Sequence, residues 1–274
     1  MRPGIQTKNL AKGNITIDSS LRGYAYMGKH IIASQIGPAV DIDFQCNGVP
    51  QLYFEVPYNI TGQDLGVTGL DSFRSRTGVN LSKLRSLGGG TWRATVGINN
   101  FNGPALTLYL RVFGRLDLNP PAPPYGQGII VRTLQNEMVF CSSKRMLRLA
   151  GDTYDVELTL PWETPVNEQA RADSCDTVVN LPFSMQGKSI CATARGVIYT
   201  PYHLYSYPDD GTVKDRYSIL RYETMYWATG NQLHVRRVAP TAEDRDVMGP
   251  MIIDNSRVQT VYSRLSVIDN ALFP

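Results

Sequence analysis

The chain has 274 residues, of which 42% are apolar and only 19% are charged, and this balance excludes intrinsic disorder for most of its length. The length equals nearly two average domains, although a β-sandwich or barrel often uses as many residues as one unit. Tyrosine (15) outnumbers phenylalanine (8), and glycine (24) and proline (17) are frequent, a composition that favours strands and turns. The net charge of +3 is small, so only a local concentration of charge can favour a polyanionic partner.

Positive charge is concentrated at the amino terminus, where residues 1–12 contain Arg2, Lys8 and Lys12 and no acid. We expect residues 1–30 to form an extended basic arm rather than part of the core. Such an arm is suited to contact a polyanion, which makes these three cations candidate contacts. A solvated tail is the alternative.

Short runs of β-branched and aromatic residues recur between turn-forming clusters and predict strands. The predicted strands are residues 14–18, 40–44, 52–56, 91–98, 105–113, 129–134, 138–141, 154–160, 177–181, 190–199, 219–227, 233–238 and 258–267. In residues 154–160 the alternation places Tyr154, Val156 and Leu158 on a buried face and acidic residues on the other. The fold is therefore predicted to be all-β, with residues 31–274 as the folded domain.

Two stretches interrupt this pattern. Residues 70–87 carry leucine and phenylalanine at roughly helical spacing, but Gly78 interrupts them, so a helix and an ordered loop are both open. Residues 119–124 contain four prolines and predict either a stiff surface loop or a linker between domains 1–125 and 126–274. The glycines at 88–90 and the Asp-Gly pair at 210–211 predict turns. No repeat at a fixed spacing is present, which argues against a propeller or a solenoid.

The usual catalytic and metal-binding patterns are not found. The histidines His30, His203 and His234 have no metal-ligand spacing, the four cysteines form no Cys-x-x-Cys pair, and there is no nucleophile elbow or phosphate loop. We read Asp41 and Asp43, which share one face of a predicted strand, as solvated acids. The expectation is that the chain is not an enzyme and needs no metal or cofactor.

No stretch approaches the ~18 to 20 apolar residues of a membrane helix, and residues 1–30 lack the apolar core of a signal peptide. We therefore expect no membrane span.

Four tyrosines are concentrated in residues 199–207, at Tyr199, Tyr202, Tyr205 and Tyr207. Such a cluster is suited to stack sugars or bases, and it is also typical of packing at subunit contacts. We favour an interface, because no lysine or arginine occurs among these residues.

The segment PQLYFEVPYN at residues 50–59 resembles the capsid proteins of picorna-like viruses (order Picornavirales), in which a strand commonly ends in a Val-Pro-Tyr turn. A glycine-led strand at 90–98, a strand at 105–113 and an Asp-Leu-Asn-Pro-Pro tail at 117–121 follow as in that family, and residues 156–162 form a second similar segment. In such subunits the Val-Pro-Tyr turn lies late in the chain. Here either residues 160–162 are its counterpart or the strand order is rearranged.

The resemblance implies an eight-stranded antiparallel jelly-roll β-sandwich with two four-stranded sheets, long loops and an extended amino-terminal arm. It implies a structural subunit of a small icosahedral positive-strand RNA-virus capsid. This virion protein would assemble in the host cytoplasm with related capsid proteins, contact genomic RNA through the arm, and meet a host receptor. The implied RNA contacts are Arg2, Lys8 and Lys12. The implied interface residues are Pro57, Tyr58, Pro161, Trp162, Tyr199, Tyr202, Tyr205 and Tyr207. The alternative is a glycan- or receptor-binding β-sandwich attachment protein.

Overall fold

The computed structural model describes residues 4–9, 13–18, 23–33, 37–59, 78–99, 106–116, 130–132, 138–141, 144–160, 176–192, 198–248 and 259–274. Within these ranges all regular structure is strand, apart from one turn of 3-10 helix at Asn270–Leu272. The all-β prediction is confirmed. The strands are β1 Gly4–Asn9, β2 Gly13–Asp18, β3 Tyr24–Ala33, β4 Gly37–Gln45, β5 Gln51–Glu55, β6 Gly78–Gly88, β7 Thr91–Asn99, β8 Thr107–Arg115, β9 Ile130–Arg132, β10 Met138–Cys141, β11 Tyr154–Leu160, β12 Asp176–Asn180, β13 Lys188–Ala192, β14 Ile198–Asp209, β15 Thr212–Thr229, β16 Gln232–Met248 and β17 Gln259–Asp269.

Two large antiparallel sheets organise these strands. A six-stranded sheet has the order β11-β17-β13-β5-β8-β3, and a seven-stranded sheet has the order β12-β16-β15-β6-β7-β4 with β14 paired to β15. Strands β1 and β2 pair with each other, as do β9 and β10. The sheets therefore hold six and seven strands, rather than the four each that were expected, because strands from the two halves of the chain join in the middle of both sheets.

One apolar core lies between the two sheets. The six-stranded sheet contributes Phe54, Leu110 and Ile190, which are fully buried, and the seven-stranded sheet contributes Ala94 and Val235. Burying a large apolar side chain contributes about 1.5–3 kcal/mol, so this core is the main source of stability. The two-sheet arrangement around one core is that of a β-sandwich.

Strand β11 shows how the alternation produces the buried face. Val156 is buried and Tyr154 packs against the core, whereas Asp155 and Glu157 are exposed. The predicted alternation is confirmed at these four residues. The side chain of Leu158 lies outside those that the structure describes.

Strand β3 begins within residues 1–30, the range expected to form an arm. Strand β3 pairs along its whole length with β8, and Ala25 and Ile32 are only 2% and 0% exposed. Residues 24–30 are therefore part of the six-stranded sheet. The positive charge at Lys29 is compatible with this strand because its ammonium group lies over the ring of Tyr109, 4.7 Å from the centroid, on the outer face.

The stretch with helical spacing is strand in its described part. Strand β6 pairs with β7 through a turn at Gly89 and Gly90, whose φ angles of 59° and 79° suit glycine. A register shift between Leu81 and Lys83 inserts one extra residue. This bulge turns Leu81 and Leu84 toward the same core, so a spacing of three residues arises without a helix. The predicted turn at residues 88–90 is confirmed.

A second apolar cluster covers the outer face of the six-stranded sheet. Tyr53, Phe113, Ile268 and Phe273 are buried together, and the rings of Phe113 and Phe273 meet edge to face at 4.9 Å. Phe273 belongs to the segment that follows the 3-10 turn. The last described residues therefore fold back over this sheet.

Candidate interaction surfaces

The structure places some of the predicted contact residues and leaves the others outside the described ranges. Lys8 lies in β1, whereas Arg2 and Lys12 lie outside the described residues. Pro161 and Trp162 also lie outside them. The remaining predicted contacts are Pro57 and Tyr58, which follow β5, and Tyr199, Tyr202, Tyr205 and Tyr207, which all lie in β14.

Pro57 and Tyr58 carry the chain from one sheet to the other. The amide of Ala228 in β15 donates to the carbonyl of Pro57 at 2.8 Å, and the amide of Asn59 donates to the carbonyl of Ala228 at 2.9 Å. Pro57 is buried and Tyr58 is half-buried, with the Tyr58 hydroxyl 3.4 Å from the Ser184 hydroxyl. The Val-Pro-Tyr segment thus makes contacts within the chain. Tyr58 remains partly exposed at the surface.

The tyrosine-rich strand β14 forms a ribbon with β15 and β16. Its register places Tyr199 opposite Arg221, Tyr205 opposite Arg216 and Tyr207 opposite Lys214. Residues directly opposite each other in an antiparallel pair share a face. The neighbouring strand therefore has cationic residues at the register positions opposite three of these tyrosines, and the order of the sequence alone did not show this pairing. The ribbon combines aromatic and cationic positions, which suits nucleic acids and sugars alike.

A buried polar cluster lies on the outer face of the six-stranded sheet around Arg111. The Arg111 guanidinium, 4% exposed, donates to Glu55 Oε1 at 2.8 Å, to Ser189 Oγ at 3.1 Å and to the carbonyl of Phe273 at 2.8 Å. Asn270 Nδ2 donates to the same Glu55 oxygen at 2.9 Å, and Ser189 Oγ donates to Asn270 Oδ1 at 2.7 Å. These bonds attach the last described residues to the sheet. Because Ser189 is engaged on both sides, this cluster fits a structural role.

Burial also shifts the pKa values of Tyr53 and His30. It raises the pKa of Tyr53 to about 12, while the hydrogen bond with Ser266 opposes that shift. Burial lowers the pKa of His30, whose ring lies 5.7 Å from that of Phe44. His234 stacks on Trp227 at 3.9 Å. Both histidines therefore pack against aromatic rings, while the side chain of His203 is not described.

The acidic pair Asp41 and Asp43 shares one arginine as its ion-pair partner. Arg93 binds both oxygens of Asp43 at 2.6 and 2.7 Å and lies 3.5 Å from Asp41, which also accepts from Thr95. The hydrogen bond from Arg93 lowers the pKa of Asp43. The carboxylates share a face, as the sequence predicted, but they form an ion-pair ladder on the seven-stranded sheet.

A basic rim of exposed cations lies in residues 144–148, at Lys144, Arg145 and Arg148. The backbone of this segment bonds to β3, through Leu147 N to Tyr24 O at 2.7 Å. A short-range signal was present in the sequence, because KRMLR has three cations in five residues and no acid.

The rim borders an open cleft of about 440 Å³. Its walls include Phe183, Leu149 and Leu272, together with Arg148 and the ion pair of Lys188 and Asp269 at 3.1 Å. The hydrogen bond from the Ala271 amide lowers the pKa of Asp269, and Lys188 lowers it further. This surface is therefore apolar at its walls and positively charged at its margin.

No cluster of three metal-ligating side chains occurs among the described residues, and in the same ranges no helix is long and apolar enough to cross a membrane. Cys46, Cys141 and Cys191 are thiols, whereas Cys175 lies outside the described ranges. Comparison with protein-family models, curated proteins and solved structures finds no match for this chain.

Proposed function

We propose that the chain is a structural subunit of a small icosahedral RNA-virus capsid, which assembles with related jelly-roll proteins around the genome. The observation that carries the proposal is the succession of strands β3 to β8. A jelly roll is a long hairpin wrapped into two sheets, so its first strand pairs with its last and its second with the one before last. Here β3 pairs with β8 and β4 with β7. The segment that resembles the viral turn follows β5 within this set.

Two surfaces support an assembling role. Tyr58 is partly exposed beside the crossing between the sheets, and aromatic side chains of this kind commonly anchor interfaces. The basic rim is a second cationic surface that suits nucleic-acid phosphates, besides the amino-terminal cations. It consists of Lys144, Arg145 and Arg148.

Size-exclusion chromatography and negative-stain microscopy of the protein from its natural source test the proposal. Closed particles of uniform diameter that contain this chain are expected. A monomer or trimer that never enters a particle would contradict the capsid role.

The RNA contact has its own test in purified chain. Replacing Lys144, Arg145 and Arg148 by glutamine should weaken binding to single-stranded RNA and reduce the slope of log affinity against log salt by about 2, at ~0.7 for each phosphate contact. The matched control replaces the exposed Lys83 and Arg85 of β6 by glutamine. Equal losses for each charge removed in the two variants would mean that only general charge matters, and the rim would have no special role.

The β14–β15 ribbon favours a second candidate, a glycan- or receptor-binding attachment protein. Tyr205 and Tyr207 are two residues apart in β14, at register positions opposite Arg216 and Lys214. In a glycan-array assay, Tyr205→Ala with Tyr207→Ala should abolish binding if this function is correct. Absence of any glycan binding by the unchanged protein would count against it.

A further inference from the structure

The strand order of each sheet reads the same from both edges. Strands β3 to β8 form a first set of six, and a second set of six consists of β11, β12, β13, β15, β16 and β17. Counted inward from either edge, the six-stranded sheet contains the first, sixth and third strands of one set. Counted in the same way, the seven-stranded sheet contains the second, fifth and fourth strands of one set. The two sets therefore have the same topology, and β14 is an addition to the second.

The register extends this equivalence to single residues in the six-stranded sheet. Phe54 of β5 pairs with Leu110 of β8, and Ile190 of β13 pairs in the same way with Val267 of β17. All four side chains point into the core between the sheets. Phe54 and Ile190 also pair with each other where the sets meet. Since β5 and β13 are antiparallel, a two-fold axis through this pair exchanges the two sets.

The seven-stranded sheet obeys the same relation. Ala94 of β7 pairs with Leu84 of β6, and Val235 of β16 pairs with Tyr226 of β15. At the neighbouring edges Phe44 pairs with Trp92, and Val179 pairs with Leu233.

A pair of loop hydrogen bonds follows the same rule. The amide of Cys46, two residues beyond Phe44, donates to the carbonyl of Gly90 at 2.9 Å. The amide of Leu181, two residues beyond Val179, donates to the carbonyl of Asn231 at 2.9 Å. Both acceptors lie in the tight turn that joins the fourth and fifth strands of their set. Matching register and matching loop bonds are not required of an ordinary sandwich.

We infer that the chain is an internally duplicated protein, in which two modules, residues 24–116 and 154–269, pair through a surface that fits a second copy of the same module. The pseudo-two-fold axis passes between β5 and β13 and between β6 and β15. This inference is independent of the capsid proposal, because it concerns which surfaces fit each other within the chain.

The geometry explains why neither module is complete alone. Without its partner, β5 and β6 would each become an open edge with unpaired backbone groups beside an exposed core face. The fit there is close, since a Cβ on Gly78 of β6 would lie 2.7 Å from Cβ of Met225 in β15. Each module thus supplies the strands that close the other.

The duplication leaves no repeat in the sequence for a physical reason. Equivalent core positions need only apolar side chains of suitable summed volume, so Phe54 corresponds to Ile190 and Cys46 to Leu181. The loops between equivalent strands also differ in length, which removes any fixed spacing.

A reciprocal exchange across the axis tests the inference in the full chain. Phe54→Ile leaves a void and Ile190→Phe overpacks the core, so each alone should lower Tm by roughly 3–10 °C. The double variant contains the same two side chains with their positions exchanged across the two-fold axis. It should recover most of the lost Tm, because the axis makes the two sites equivalent.

The control exchanges Phe54 with Leu110, a pair that is equally buried and also cross-strand, but not related by the axis. Phe54→Leu with Leu110→Phe should show no such recovery. Recovery in both double variants would show that only total core volume matters, and failure of the axial pair to recover would also overturn the inference.

Hydrogen exchange of the unchanged protein provides a second measurement that does not depend on any variant folding. The amides of Cys46 and Leu181 should show protection within about tenfold of each other, since they make equivalent bonds. Strong protection of one and none of the other would overturn the equivalence. Neither experiment requires the chain to form particles. Both therefore test the duplication even if the capsid proposal is wrong.

Discussion

The positive charge of Arg111 is almost completely buried. The carboxylate of Glu55 compensates this charge in the folded chain. Replacing Arg111 by methionine removes three hydrogen bonds and leaves the Glu55 carboxylate, which is 19% exposed, with fewer donors. We expect a loss of about 3 kcal/mol in the free energy of unfolding, measured in urea, because one charge of a buried pair becomes uncompensated. Glu55→Gln should lower the free energy of unfolding less in the Arg111→Met variant than in the unchanged protein. In that variant the substitution removes the uncompensated carboxylate.

The matched control for this prediction is Arg93→Met, which breaks an exposed ion pair with Asp43. It should cost much less, because water and salt screen that pair. A similar loss in both variants would mean that burial does not govern the Arg111 cluster.

The Tyr53 hydroxyl provides a prediction about alkaline pH. Its pKa in the folded chain is about 12, above the ordinary value of 10.0, because burial disfavours the phenolate. The unfolded chain therefore releases this proton first. The stabilising effect is fully present below pH 10 and is lost as the pH rises from 10 to about 12. Urea unfolding at several pH values should show a shallower decline in Tyr53→Phe, and an unchanged decline would contradict the assigned cause.

At the scale of a single strand, β11 allows its register to be measured. Val156 is 3% exposed, so Val156→Ala should lower the free energy of unfolding by roughly 1–3 kcal/mol, whereas Glu157→Ala at the exposed neighbouring position should stay within about 0.5 kcal/mol. Equal losses would mean that the strand does not bury one face.

Element prediction succeeded where alternation was regular and failed where a bulge altered it. The pattern from Tyr154 to Glu157 is visible in the sequence because each side chain reports one face. In β6 the bulge after Leu81 changes the side-chain period, so two core-facing leucines acquire helical spacing. Strand β3 was missed because a bulge between Tyr26 and Gly28 and the charge at Lys29 hide its alternation.

At the scale of the whole molecule, sequence reasoning reached the fold class but not the arrangement of strands. The pairing of Phe54 with Ile190 joins residues from opposite halves of the chain, and no local signal encodes it. The Arg111 cluster unites Glu55, Ser189 and Asn270 by the same long-range pairing. The basic rim differs, because its three cations are neighbours in sequence and were visible there.

The last prediction concerns assembly with other chains. In a closed shell, one chemical surface seldom satisfies several non-equivalent neighbours, while distinct chains can each present complementary edges. The two outer edges of this chain, β3 with β4 and β11 with β12, carry different side chains despite their shared topology, so contacts through them should be modest and specific. Under the proposed capsid function, the chain expressed alone should be a monomer or small oligomer, and co-expression with the partner capsid proteins should produce particles of uniform diameter. Light scattering and electron microscopy distinguish these states. Homogeneous closed shells formed by this chain alone would contradict the multi-chain arrangement and indicate a coat built from one protein.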